Sequence, residues 1–308
     1  MAAAVSVPQH TLSEDPNSRT IQIHGWTITA STHPISSAAD SDALHASLGI
    51  PLPEMTFSRN ALTLHHEPSG FSYEFRAADA LKGVKNGELG DGDGGVKVGY
   101  ADAWLKSRTD PNSLLPLPVT VATKPYDWTY TTTYAGHEPE EEATSSSSTV
   151  AWAPGDPQNQ AHSIPIAELT RPDPILFYAE IPLFEDELHD NGASHLLVRI
   201  RVMPTCIFIL SRFTLRVDNV LFRARDTRIY HSFASSPPLI VRETSGWEAP
   251  YDRVKAHLSR RDDLTPLTDP NFIGRVLSGL PKRASQVDGA GTQWRGLGTS
   301  VDIATLQK

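Results

Sequence analysis

The chain has 308 residues, of which 39% are apolar and 20% charged, with 24 Pro, 20 Gly and a formal net charge of −9. That length suits one large domain or two small ones, and the balance suits a soluble globular core with many turns. The acidic excess argues against nucleic acid or an anionic membrane as the main partner and suits a basic patch on another protein.

The start, MAAAVSVPQHTLSEDPNSR, lacks the basic beginning and long apolar segment of a secretory leader. No run approaches the roughly 18 apolar residues of a membrane span. The expected compartment is the cytoplasm, with access to the nucleus. Residues 1–18 are polar and expected to be disordered. Ordered chain is expected from TIQIHGWTITAST, where Ile21, Ile23, Trp26 and Ile28 suggest strands around a turn at Gly25. A short helix then carries Ala43, Leu44 and Leu48, capped by Ser36 or Ser37 and stopped by Gly49 and Pro51. NALTLHHE and GFSYEFRA read as a hairpin around Pro68-Ser69-Gly70, and AADALKGVK as a short helix.

Loop insertions are expected at about 86–95, 110–120 and 137–162. The first is glycine-rich; it lacks the spaced ligands of an EF-hand and the lysine of a phosphate loop. The second is proline-rich. The third combines acid clusters, four serines and prolines, a composition of disorder. ATKPYDWTYTTTY, dense in aromatics and threonine, favours strand.

The second half holds the clearest pattern. HLLVRIRVMP and CIFILSRFTLRV alternate apolar and mixed positions with a period of two. Asp218-Asn219 reads as a two-residue turn into LFRARDTRIYH, and PPLIVRET adds a short strand. Local turns between alternating runs mean an antiparallel meander. Its core side is aliphatic. Its other side is expected to carry Arg199, Arg201, Arg212, Arg216, Arg223 and Arg225, either ion-paired to acidic segments or presented to an acidic tail or carboxylate. Cys206, the single cysteine, excludes an intrachain disulfide and a cysteine-based zinc site. Within TCIFIL it reads as a buried small hydrophobe. DDLTPLTDPNFIGRVLSGLP reads as one or two helices, with Asp269 as a cap. Residues 283–308 read as a flexible tail, leaving 19–282 as a single domain.

No catalytic signature emerges. FEDELHDNG offers Glu185 and His189 at i, i+4, but Pro182 and Gly192 leave too short a segment for a rigid metal-binding helix. It reads instead as an acidic turn before a strand. His65 and His66 are adjacent and point to opposite faces of a strand. Asp127 and Asp226 lie among large apolar neighbours; each could serve as a catalytic acid, but such an Asp is more often held by backbone N–H groups or an arginine, here Arg225 or Arg228. A metal-dependent hydrolase using His24, His65, Glu185, His189 or Asp226 is the alternative to a binding protein. No cofactor is expected.

Seven strings, GWTITAST, LPEMTF, EFRAADAL, KPYDWTYTT, LFEDELHDNG, IRVMP and RVDNVLFRARDTRIYH, occur in this order between about Gly25 and His231. Together they resemble the TIPRL family, the Tip-forty-one-like regulators of TOR (target of rapamycin) signalling, in a fungal-type member. The resemblance implies a non-enzymatic protein that binds the catalytic subunit of type 2A-family phosphatases, at a site including that subunit's C-terminal tail. It also implies, in fungi, joint action with the phosphatase-associated regulatory protein of the same pathway. A scaffold for another protein of that pathway is a third reading. The implied fold is α+β and predominantly antiparallel β, with sandwich- or barrel-like sheets and short peripheral helices. Carried over one at a time, the family's partner-binding residues fall on Asp79, Ile164, Ala224 and Asp226. At Ala224 a larger apolar residue of the family is replaced.

Overall fold

The computed structural model describes residues 6–84, 130, 134–139, 151–156, 158–188, 190–280 and 297–306. The glycine-rich and proline-rich insertions, Asp127, most of KPYDWTYTT and His189 lie outside the described residues.

Two antiparallel sheets share one core, and neither closes into a barrel. The smaller has five strands in the order β1-β2-β3-β5-β6: His10–Asp15, Ser18–Ile23, Trp26–Ser31, Ala61–His66 and Phe71–Arg76. The larger has eight, in the order β4-β8-β9-β10-β11-β12-β13-β7. These are Met55–Thr56, Phe177–Asp186, Gly192–Val202, Cys206–Val217, Leu221–Ser232, Leu239–Pro250, Leu297–Thr305 and Ala153–Pro154. Helices are short and peripheral: α1 (Ala38–Leu48), α2 (Ala77–Lys82), α3 (Ile166–Leu169), α4 (Tyr251–Lys255) and α5 (Pro270–Gly279).

Local chemistry explains most boundaries. Ser37 caps α1 by accepting from the Asp40 N–H at 3.2 Å, and Gly49 ends it in the left-handed conformation (φ 70°). Asp269 caps α5 by accepting from the Asn271 N–H at 2.8 Å, with Pro270 at the first helical position. Gly192 opens β9 at φ 152°, and a Cβ there would overlap the carbonyl oxygen of Arg216.

The inner face of the large sheet packs on the small one. Ile181, Val198, Ile200, Ile209, Phe213 and Leu215 from the former join Ile21, Trp26, Ile28, Leu62 and Phe75 from the latter in one cluster. Each such fully buried side chain contributes roughly 1.5–3 kcal/mol. Trp26 sits between two histidine rings, His66 at 4.7 Å and His231 at 5.2 Å.

Three expectations change. First, the chain is ordered earlier and later than its composition suggests. β1 lies inside the polar N-terminal stretch, and β13 lies inside the Gly- and Ser-rich tail, paired to β12 from Leu239↔Thr305 onward. Ala304 and Leu306 are buried in the main core. Second, part of the acidic-serine insertion is structured: His137 bridges Glu74, and Trp152 carries the Arg242 guanidinium 4.0 Å above its ring.

Third, Arg223 and Arg225 are not on the arginine face. The β10–β11 connection holds three residues, pairing Val217 with Leu221, with Asn219 at φ 61° and the Val220 N–H donating to the Val217 carbonyl. A two-residue turn would pair Val217 with Val220. The extra residue moves every β11 side chain to the opposite face. Arg223 therefore shares the Leu215 side and pairs with Glu248 at 2.6 Å.

Burial holds the His231 imidazole neutral, pushing its pKa down to about 4, with His66 and His24 acting in the same direction. Its Nδ1 hydrogen bond to the Leu239 carbonyl opposes this. An ordinary histidine of the unfolded chain protonates near 6.5. Protonation therefore favours the unfolded state. The contribution is whole above pH 6.5 and is lost as pH falls toward 4, by about 3 kcal/mol in all. Urea unfolding of wild type and His231→Gln across this range should show wild type losing that much more than the variant; parallel profiles would disprove it.

Candidate interaction surface

The outer face of the large sheet, turned away from the small one, is built by register. One row across it reads Tyr178, Arg201, Phe208, Tyr230, Val241 and Ile303; the next reads Glu180, Arg199, Leu210, Arg228, Glu243 and Val301. Below these, Arg212 pairs across to Asp226 and Asp226 to Ser245.

Both ends of this face are covered. At one end α4 and α5 lay Val254, Ile273 and Leu277 over Phe222, Ala224 and Ala249. Gly274 lets α5 approach the Arg212 guanidinium closely; a Cβ there would stand 2.5 Å from Nη1. At the other end Ile164 and Leu169 cover Met203, Cys206 and Tyr230. Burial raises the Cys206 thiol to about 11, so it is an inert core residue. Between the two covers lies an open strip in which Tyr178 and Glu180 are exposed and Arg199, Arg201, Phe208, Leu210, Arg228 and Trp247 are half-buried.

Ion pairs order the strip. Asp226, with no exposed side-chain surface, accepts from Arg212 Nε and Nη2 at 2.7 Å each and from Arg228 Nη2 at 2.7 Å. Arg228 also donates to Glu243 at 2.7 Å and lies 5.6 Å above the Trp247 ring. Arg199 donates to Glu180 at 2.6 Å and to Asn271 of α5 at 2.7 Å. The Glu180 carboxyl is held below its usual range, first by the Arg199 hydrogen bond. Arg201 differs. It lies 5.7 Å above the Phe208 ring and has no carboxylate partner among the described residues.

The four residues carried over from the family resemblance do not meet at one point. Asp226 is buried beneath its arginines. Ala224 is fully buried beneath α5, so it has no surface to offer. Ile164 is 8% exposed and forms part of the opposite cover, its side chain turned into the cluster. Asp79 lies on α2, beyond the edge strand of the small sheet. It accepts from Arg76 Nε and Lys82 Nζ at 3.1 Å each, 3.4 Å from His137 Nε2. Its side chain does not cap α2.

The hydrolase residues are also dispersed. His65 is exposed and bonded to Ser72; the His24 ring lies tilted against Phe233 at 4.5 Å; Glu185 lies 3.9 Å from His195. Among the described residues no group of three or more His, Cys, Asp or Glu could hold a metal ion. The acidic turn is anchored by Asp186, which accepts from the Leu188 N–H at 2.6 Å and the Glu54 N–H at 3.0 Å. No helix among the described residues is long and apolar enough to cross a membrane.

The described residues form a two-sheet β framework whose larger sheet presents an arginine-lined outer face. Comparison with known proteins adds the family. The TIP41-like family profile matches residues 55–255, and the chain belongs to that family. It is 42% identical over 255 residues to the human TIP41-like protein, covering 82% of this chain and 83% of that one. It is 35% identical over 283 residues to the type 2A phosphatase activator TIP41 of Saccharomyces cerevisiae, covering 87% and 74%. The type 2A phosphatase activator of Schizosaccharomyces pombe is 31% identical over 251 residues, covering 80% and 88%.

Neutralising Asp226 leaves two guanidinium groups, 11% and 22% exposed, without their shared anion. Asp226→Asn should lower stability by about 3 kcal/mol, since removing one member of a buried ion pair strands the other. An unfolding midpoint equal to wild type in urea would show that the triad carries no such energy.

Proposed function

We propose that this chain regulates TOR-pathway signalling by binding the catalytic subunit of a type 2A-family protein phosphatase, without catalysing a reaction itself. The family supports this reading, because its Saccharomyces cerevisiae relative, alike over 87% of this chain, is named a type 2A phosphatase activator. The observation that carries the location is Arg201, a guanidinium on an open sheet face with no carboxylate partner among the described residues.

In this reading the subunit's C-terminal tail lies across the strip. A guanidinium recognises a carboxylate with two parallel hydrogen bonds, and half-buried Phe208, Leu210 and Trp247 supply apolar contact. Asp226 is a positioning residue. It fixes Arg212 and Arg228, and through Arg228 it orders the Trp247 side of the strip. Ala224 supports one wall from beneath, Ile164 forms part of the other, and Asp79 would be a separate contact on the small-sheet side. Cytoplasm with nuclear access is the compartment that goes with this proposal.

The test is a titration of purified catalytic subunit, whole and lacking its last residues, against wild type and Arg201→Glu. Arg201 is half-buried and engages no carboxylate among the described residues, so its reversal should leave the fold intact. Wild type should bind the whole subunit at least tenfold more tightly than Arg201→Glu does, about 1.4 kcal/mol. It should lose a similar factor when the tail is removed. Binding by wild type that ignores both changes would remove the tail and the strip from the interface. No binding at all would leave the scaffold reading for another pathway protein.

A further inference from the structure

Among the described residues, one edge of the small sheet is open over its whole length. β1 is the terminal strand in the order β1-β2-β3-β5-β6, and among the described residues no strand pairs with its far side. It turns into β2 through Pro16 and Asn17, with Asp15 facing Ser18, Ser13 facing Thr20 and Thr11 facing Gln22. A two-residue connection closes on a hydrogen-bonded pair, and such pairs recur at every second residue. Asp15, Ser13 and Thr11 therefore spend their backbone groups on β2. The N–H and C=O groups of His10, Leu12 and Glu14 point away from it, into the space a further strand would fill.

The same three residues share one face of the strand. Leu12 is 56% exposed, a large aliphatic side chain at the middle of an open edge. Glu14 stands 3.6 Å from Arg19, in a pair whose two side chains are 75% and 50% exposed. Of the devices that guard an edge, an inserted proline, a lysine and a bulge are missing from His10–Asp15, while charge is present at Glu14 and Asp15.

We propose that this edge binds the same edge of a second copy of the chain, in a two-fold antiparallel pair centred on Leu12. Antiparallel pairing about that centre sets Leu12 opposite Leu12 of the second copy, His10 opposite its Glu14, and Thr11 opposite its Ser13. Every outward-pointing backbone group then meets an outward-pointing one. The polar positions meet as imidazole against carboxylate, twice, because the two-fold axis repeats the contact; His10 Nδ1 is bonded to the Pro8 carbonyl at 2.9 Å, which leaves Nε2 for the carboxylate. The register is selective. Sliding by two residues one way puts Glu14 opposite Pro8, which has no N–H to donate. Sliding the other way puts Glu14 opposite Leu12 and His10 opposite Pro16. The two five-stranded sheets would join into one. Six residues per copy make a small contact, and the net charge of −9 on each copy opposes approach. The association is therefore weak and reversible, as contacts well under about 1,200 Å² are. It is independent of the phosphatase reading.

Sedimentation equilibrium of the full chain tests this. The weight-average mass of wild type should rise from one chain toward two between concentrations on the order of 10 and 500 μM. Leu12→Asp should remain a single chain throughout. Glu14→Lys should weaken association at least tenfold, because it removes the carboxylate that faces His10. The double variant His10→Glu with Glu14→Lys should restore it by setting a carboxylate opposite an ammonium group. All substitutions are on an exposed strand, and unchanged thermal melts would show that the fold is kept. A wild type that stays one chain at the highest concentration overturns the proposal. So does a dimer that Leu12→Asp leaves intact, and failure of the double variant to regain association overturns the stated register.

Discussion

Between Val217 and Leu221 the chain turns through three residues, and the parity of that turn decides which side of the large sheet every β11 side chain occupies. Side chains alternate along a strand, so one residue more or less exchanges core for surface. With Val217 opposite Leu221, Leu221 and Ile229 enter the core shared with the small sheet, while Phe222, Ala224, Asp226 and Arg228 face outward. The opposite parity would bury Asp226 and Arg228 among aliphatic side chains and leave Phe222 without α5. Asn219, at φ 61°, is the residue that tolerates the required backbone.

The outer face is then organised by the cost of burying charge. A carboxylate without solvent must be paired, and Asp226 is satisfied by three short hydrogen bonds from two arginines. Those arginines are tied in turn to the carbonyl of Pro270 at one end and to Glu243 at the other. The ion network thus fixes α5 on the sheet, and Gly274 supplies the space that lets the helix sit so close. Apolar clusters seal both ends of the face, so the strip between them keeps its arginines and aromatics half-exposed on a rigid floor. A surface of that kind suits recognition of another polypeptide, the role proposed for it here.

Some of the site was legible in the sequence and some was not. The meander, the hairpin at Pro68-Ser69-Gly70, the caps Ser37 and Asp269, and the acidic turn held by Asp186 all follow from local chemistry. Arg228 was a foreseeable partner for Asp226. Arg212 was not, because its contact depends on cross-strand register fourteen residues apart. Ala224 as a surface residue fails for a similar reason: α5, some fifty residues later in the chain, covers it. β13 was missed because GTSVDIAT has a weak strand pattern by itself; β12 supplies the hydrogen bonds that make it one.

By itself the sequence determined where the chain alternates, where it turns, which helices are capped, and that no cysteine chemistry links its parts. These depend on neighbours a few residues apart, whose side chains and backbone interact whatever the rest of the molecule does. Only the tertiary structure decided that Arg223 and Arg225 leave the arginine face, that the ends of the chain join the sheets, and that Asp226 lies buried beneath two guanidinium groups. Those outcomes depend on register and long-range burial, in which the energy of a side chain is set by residues the local sequence does not contain.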